Sequence, residues 1–150
     1  MKKLFIFFSL ILICGCSGYS PIFSSKQTNF YIEEIIISDD NQLIRKIVKN
    51  LKPYTINNGK KKIELELDLK LNETVILKDE KGDVARQEIE ITLDVKSIFQ
   101  DKKVRKFIFV EKFSFNNQSN KFELNQYKKN IQSNMIDKIY EDLILKLRTL

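Results

Sequence analysis

The chain of 150 residues contains no histidine and no tryptophan, and only two cysteines, two prolines and four glycines. Absence of histidine removes the commonest general base and a principal metal ligand. Both cysteines, Cys14 and Cys16, stand near the start, so the rest of the chain has no thiol for nucleophilic, redox or disulfide chemistry. The glycines are scattered, and no glycine-rich phosphate loop exists. Zinc and iron lack their usual ligands. The longest apolar run, Leu4 to Ile13, is broken only by Ser9 and is about half of the ~20 residues a spanning helix needs. A strong excess of one charge is also missing. The formal charge of +6 includes Lys2 and Lys3, and the four net charges that remain are spread among twenty acids. Such a balance is not the footprint of a nucleic-acid binder.

The most informative segment that is present lies at the N-terminus. Met1-Lys2-Lys3, the apolar run and Leu12-Ile13-Cys14-Gly15-Cys16 have the order of a bacterial lipoprotein signal: a positive start, a short apolar core, and a small residue before a cysteine. Cleavage is expected between Gly15 and Cys16, with Cys16 carrying lipid on its sulfur and amine. Residues 1–15 then form the signal, 16–28 a lipidated tether, and 29–150 a single domain. The 135 residues left after cleavage suffice to bury about two thirds of the unfolded surface. Ser17, where an aspartate would resemble an inner-membrane retention signal, resembles an outer-membrane address. Acyl chains contribute about 0.8 kcal/mol per buried methylene, so several of them hold a protein to a bilayer almost permanently.

Hydrophobic periodicity gives the remaining elements. Asn29 to Ser38 is rich in β-branched and aromatic residues, with apolar positions on both faces, and reads as a central strand. Ser38-Asp39-Asp40-Asn41 offers N-caps to a helix whose Leu43, Ile44, Ile47, Val48 and Leu51 share one face, and Pro53 stops it. Ile63, Leu65, Leu67, Leu69 and Leu71 alternate with Glu64, Glu66, Asp68 and Lys70; Ile89 to Val95 repeat the pattern; Val104 to Phe115 form a third hairpin-connected strand. A long final helix presents Leu124, Tyr127, Ile131, Met135, Ile139, Leu143 and Leu147 on one face. The order β-α-β-β-β-α predicts an α+β two-layer sandwich, a four-stranded mixed sheet with two helices on one face.

Few residues are suited to catalysis. Glu64, Glu66, Asp68, Glu88, Glu90 and Asp94 invite an acid–base or hard-cation reading, but carboxylates at alternate strand positions are normally a solvated face. No catalytic residue, metal site or cofactor is expected, and a cell-wall hydrolase would have to work through Glu64, Glu66, Glu88 and Glu90. The last strand is unusual in being apolar on both sides. Phe107, Phe109, Phe113 and Phe115 share one parity; Val104, Ile108 and Val110 share the other. Either the strand is central with cover on each side, or one row faces a protein partner. Basic residues gather at turns, and Lys78, Lys102, Lys103 and Lys121 are candidates for phosphate groups of a glycolipid.

Several short stretches resemble one family. Cys16-Ser17-Gly18-Tyr19-Ser20-Pro21-Ile22-Phe23 is similar to the mature start of the LPS-assembly lipoproteins, the LptE family. Ala85-Arg86-Gln87, Phe113-Ser114-Phe115-Asn116, Tyr127 and the stretch from Asp142 to Leu147 resemble further positions of that family, with Gln87 and Phe115 standing where its aromatic and tyrosine are usual. An Asp-Ala pair common in its last helix is missing here. The resemblance implies a non-enzymatic lipoprotein at the inner leaflet of the outer membrane. It would plug and support a large LptD-like outer-membrane β-barrel and assist insertion of lipopolysaccharide. Tyr19, Pro21, Phe107, Phe109, Phe113 and Phe115 become the candidate partner contacts. A different reading is a lipoprotein subunit of another envelope lipid transporter that binds phospholipid itself, which requires an apolar cavity.

Overall fold

The structure, a computed structural model, describes residues 28–56 and 61–150. Four strands, β1 (Phe30–Ile37), β2 (Lys61–Lys78), β3 (Val84–Phe99) and β4 (Val104–Asn116), lie side by side in chain order. Helix α1 (Gln42–Leu51) leads through a 3₁₀ turn at Lys52–Tyr54 towards β2, and α2 (Lys121–Arg148) follows β4. β1 runs parallel to β2, and β3 runs antiparallel to both β2 and β4. The sheet is therefore mixed, with both helices on one face, as the periodicity predicts.

β1 is an edge strand, which corrects the central position expected from its two apolar faces. The cause is a slip in register. Ile32 pairs with Ile63, but Glu34 pairs with Glu64 and Ile35 with Leu65, so one residue is left over at Glu33. A bulge of this kind switches the parity of everything after it. Phe30 and Ile32 face the core before the slip, and Ile35 and Ile37 face it after. The strand is apolar at odd and even positions because its one inward row changes phase.

Capping and patterning place the helices. Asn41 Oδ1 accepts from the backbone N–H groups of Leu43 and Ile44, both at 3.0 Å, satisfying two of the donors that a helix start leaves open. Asn120 does the same for Phe122 and Glu123. α1 buries Ile44, Ile47 and Leu51, and Tyr54 stacks on Phe30 with ring centroids 5.9 Å apart. Burial, and then a hydrogen bond shared with Tyr54, push the Tyr140 hydroxyl well above the usual phenol range. α2, with 28 residues, is about 42 Å long and runs along the sheet. Its Ile136, Ile139, Leu143 and Ile144 are at most 1 % exposed, and they meet inward-facing Leu65, Leu67, Ile91 and Leu93, all as deeply buried. One clamp joins the helices: Lys46 Nζ donates to Asp137 Oδ2 and Ser133 Oγ, both at 2.6 Å.

Two turns set the hairpins. At Asp79–Asp83, Asp79 Oδ1 accepts from the N–H groups of Lys81 and Asp83 at 2.9 Å. Gly82 has φ of +84° there, a left-handed conformation that glycine adopts at no steric cost. At the opposite end, the Lys102 N–H donates to the Phe99 carbonyl at 2.8 Å, and Lys102 holds φ of +60° despite its side chain.

Candidate functional site

Because both helices lie on one side, no described residue outside the sheet covers its other face. Residues opposite one another in register share a face, so Glu64, Glu66 and Asp68 of β2, Asp94 and Lys96 of β3, and Lys106, Ile108 and Val110 of β4 all point outward. The carboxylates are ion-paired and half-exposed. Lys96 Nζ meets Glu66 at 2.8 Å, and Lys70 Nζ reaches Asp68 and Asp94, each at 3.2 Å. Lys112 pairs with Glu90, and Lys62 with Glu33 and Glu64. Hydrogen bonds to Asp94 first, and then to Asp68, hold the Lys70 ammonium above its ordinary range; a hydrogen bond to Glu90 does the same for Lys112. The result is a lattice of fixed charges suited to a polar surface. Among the described residues, no three metal-ligating side chains converge.

β4 carries the apolar part of this face. Val104, Ile108 and Val110 are 49 %, 67 % and 48 % exposed. β4 lies at the sheet edge, beyond β3, so it is not the central strand with cover on both sides that was one expectation. The phenylalanines expected to contact a partner belong to the other row. Phe109 stands opposite Leu93 and Phe107 opposite Val95, on the helix side. Phe115 is a core residue, with an edge-on contact to Tyr127 at 6.0 Å and Lys128 Nζ 5.6 Å over its ring. Phe107 and Phe109 are partly buried against the core, and Lys146 Nζ lies 5.3 Å over the Phe107 ring. Of the four, Phe113 is the most open, at 41 %. The outward row was visible in sequence as Val104-Lys106-Ile108-Val110-Lys112, where two lysines mark the wet side. Cross-strand pairing with Leu93 and Val95 directs Phe109 and Phe107 inward.

The four candidate lysines do not form one site. Lys78 closes β2 beside Val84, and Lys121 opens α2, at the end of the sheet where the β2–β3 turn lies. Lys102 and Lys103 occupy the β3–β4 turn at the other end, about 40 Å away along a 13-residue strand. Cys16, Tyr19 and Pro21 lie outside the described residues.

A shallow cleft of about 320 Å³ on the outward face is lined by Glu66, Asp68, Asp94, Lys96, Lys106 and Ile108, among others. Its walls combine these charged groups with apolar surface, to which Phe107 and Ile108 contribute. Between sheet and helices the inward rows interlock, with Ile32, Ile44, Ile47, Leu65, Ile91 and Leu93 wholly inaccessible. No helix among the described residues is long and apolar enough to cross a membrane.

Comparison with solved structures brings out the meaning of this arrangement. The chain superimposes on rare lipoprotein B from Shewanella oneidensis with a TM-score of 0.55 at 14 % identity, over 75 % of this chain and 95 % of that one. The chain has the LptE-like lipoprotein fold. A minor lipoprotein from Acinetobacter baumannii gives a TM-score of 0.60 at 8 % identity, over 81 % of this chain and 91 % of the other. Lipoprotein B from Nitrosomonas europaea gives 0.53 at 11 % identity, over 82 % and 88 %. No family model matches the sequence, and no curated protein matches it in sequence. At these identities the likeness is one of architecture, and the LptE-like fold is shared in spite of almost complete divergence of side chains.

Proposed function

We propose that this chain is an outer-membrane lipoprotein, acylated at Cys16, that plugs and supports an LptD-type β-barrel and assists lipopolysaccharide assembly. One observation carries the reading: among the described residues, the LptE-like fold leaves a whole sheet face uncovered, laced with ion pairs and flanked by the exposed apolar row Val104, Ile108 and Val110. Lumens of outer-membrane barrels are polar, and a plug must offer them charge and hydrogen bonds rather than a greasy surface. The apolar row on β4 supplies a fixed contact to a wall or loop. Anchoring the plug in the same membrane as the barrel raises their effective concentration. The reaction-poor side-chain inventory agrees with a role played by surface. A phospholipid-binding subunit is the less favoured reading, because the interior between helices and sheet is filled by side chains with no accessible surface.

The test is a pull-down of the tagged, full-length protein from detergent-solubilised envelopes. The expected result is co-purification with a large outer-membrane barrel, together with lipopolysaccharide retained inside cells when the protein is depleted. Unchanged surface lipopolysaccharide after depletion, with no barrel recovered, overturns the proposal. Replacing Ile108 and Val110 by serine together should weaken barrel recovery without unfolding the domain.

A further inference from the structure

The two ends of the sheet differ in charge. At the end carrying the β2–β3 turn, Lys78, Lys81, Arg86 and Lys121 are balanced by Asp79, Glu80, Asp83 and Glu123. At the other end, Lys61, Lys62, Lys102, Lys103, Arg105 and Lys106 gather around the start of β2 and the β3–β4 turn. A cleft of about 340 Å³ there brings Lys61, Lys62, Lys103 and Arg105 together around Phe99, with Asp101 as its one acidic side chain. Lys62 and Lys103 have carboxylate partners; Lys61, Lys102 and Lys106 make no ion pair with a described residue. Arg105 lies over the Phe99 ring at 5.5 Å. Lys102 holds a φ of +60°, a position where glycine would be less strained.

The same end receives the tether. The Lys61 N–H donates to the Asn29 carbonyl at 3.1 Å, and Phe30 pairs with Lys61. Thr28 therefore enters beside the basic cluster. Cys16 is twelve positions upstream, a span of at most about 40 Å when fully extended.

We infer that, while the domain is outside a barrel, this basic end is a docking surface for an anionic lipid bilayer, and that it orients the anchored domain with the β3–β4 turn against the headgroups. The inference rests on the reading of Cys16 as the acylated residue. Several acyl chains already retain the protein in the membrane, so the cluster is not needed for anchoring. It decides which end of the domain faces the bilayer. Each cation near an anionic surface favours contact by about fivefold, and the charge-balanced opposite end gains little. Phe99 adds apolar surface among the cations of the cleft, and Val104 adds exposed apolar surface on the opposite face of the same end; lysine stems can lie along such surface while their ammonium groups reach phosphate.

The chain contains no tryptophan, which makes a direct test possible. Gln100→Trp places a single reporter at the basic end, and Glu80→Trp places one at the other; both positions are exposed turns. Each full-length variant is purified from membranes and reconstituted into phosphatidylcholine vesicles with or without about 30 mol% phosphatidylglycerol and a headgroup-labelled quencher. The expected result is roughly threefold stronger quenching of the Gln100→Trp reporter than of the Glu80→Trp reporter in anionic vesicles. That difference should disappear without phosphatidylglycerol, or in about 0.5 M salt, where the screening length falls to a few ångströms. Equal quenching of both reporters, or a preference indifferent to phosphatidylglycerol, overturns the inference. So does a preference seen only when lipopolysaccharide replaces phosphatidylglycerol, which would assign the cluster to a glycolipid instead. The intact mass of the same preparations reports whether Cys16 is acylated. An unmodified sulfur sinks the anchor reading, and vesicle-added protein then still answers whether the basic end seeks anionic lipid.

Discussion

The two halves of β2 share one alternating pattern and meet different fates. In the half beside β1, Ile63, Leu65, Leu67 and Leu69 are at most 6 % exposed; further on, Leu71 and Val75 of the same row are 40 % and 49 % exposed. The pairing explains the difference. β1 accompanies β2 only as far as Leu67, and the ten residues of α1 cover only about 15 Å. Beyond that point, among the described residues, the helix-side row of β2 is reached by α2 alone, and it does so with polar groups. Lys128 Nζ meets Glu73 at 2.6 Å, and Lys138 Nζ meets Glu111 at 2.7 Å. Alternation thus fixes which way a side chain points, while the lengths of neighbouring elements decide whether anything covers it.

The sharpest way to break this comparison is a pair of truncations. Leu67→Ala removes a side chain 1 % exposed and should cost about 3–5 kcal/mol in urea unfolding. Val75→Ala, in the uncovered half, should cost about 0.5 kcal/mol. Similar losses at both sites would mean that the far half is covered in solution by something other than α2. Next in size is the start of α1, whose cover ends the dry half. Asn41→Ala removes the acceptor for two backbone donors and should lower stability by about 1 kcal/mol, with Asn41→Asp retaining most of it. An unchanged midpoint would show that the packing of Ile44 and Ile47 holds this helix without its cap.

Much of this was legible beforehand for a physical reason: long alternation and long 3.6-residue periodicity are strong signals over 63–71, 89–95 and 124–147. The element order and the two-layer sheet followed from them. β1 was misplaced because a bulge at Glu33 imitates the two-sided hydrophobicity of a central strand, and a single strand does not encode its own slip. The sequence left open whether the phenylalanine row of β4 is covered or faces a partner, because its burial depends on a partner strand, Ile89 to Val95, and on a helix thirty residues away in sequence. The charged outward face was readable from Glu64, Glu66 and Asp68. That the basic turn residues fall at two opposite ends follows from strand order, which composition does not carry.

The dry face also contains one flaw, and it lies at the basic end. Ser97 points inward between Leu65 and Arg105 in register, is 0 % exposed, and its hydroxyl has no hydrogen-bond partner among the described residues. An unpaired buried hydroxyl is costly, so Ser97→Ala should raise stability by up to about 1 kcal/mol in thermal or urea unfolding, against the loss expected for Leu67→Ala one strand away. A drop in stability instead would show that the hydroxyl is satisfied in solution, by water for example.

The smallest expected effect concerns the turn that follows. Asp101 accepts from Lys103 Nζ at 2.7 Å and from the Lys103 N–H at 3.2 Å. The side-chain bond first, and the backbone bond next, hold its carboxyl below the usual 3.8. A depressed folded value means that the turn gains from ionised Asp101 above the unfolded value, and that this gain is lost as pH falls through the folded one. Both groups are open to solvent, so the consequence is read at the carboxyl itself and not in global stability. A carbon-detected NMR titration should give Asp101 a midpoint below 3.8. Lys103→Gln should move it part of the way back, because the backbone donor remains. A midpoint indifferent to Lys103→Gln would mean that the ion pair is not kept in water. The Lys103 ammonium would then be free for an external anion, and the contrast in charge between the two ends of the sheet would be larger than the paired geometry implies.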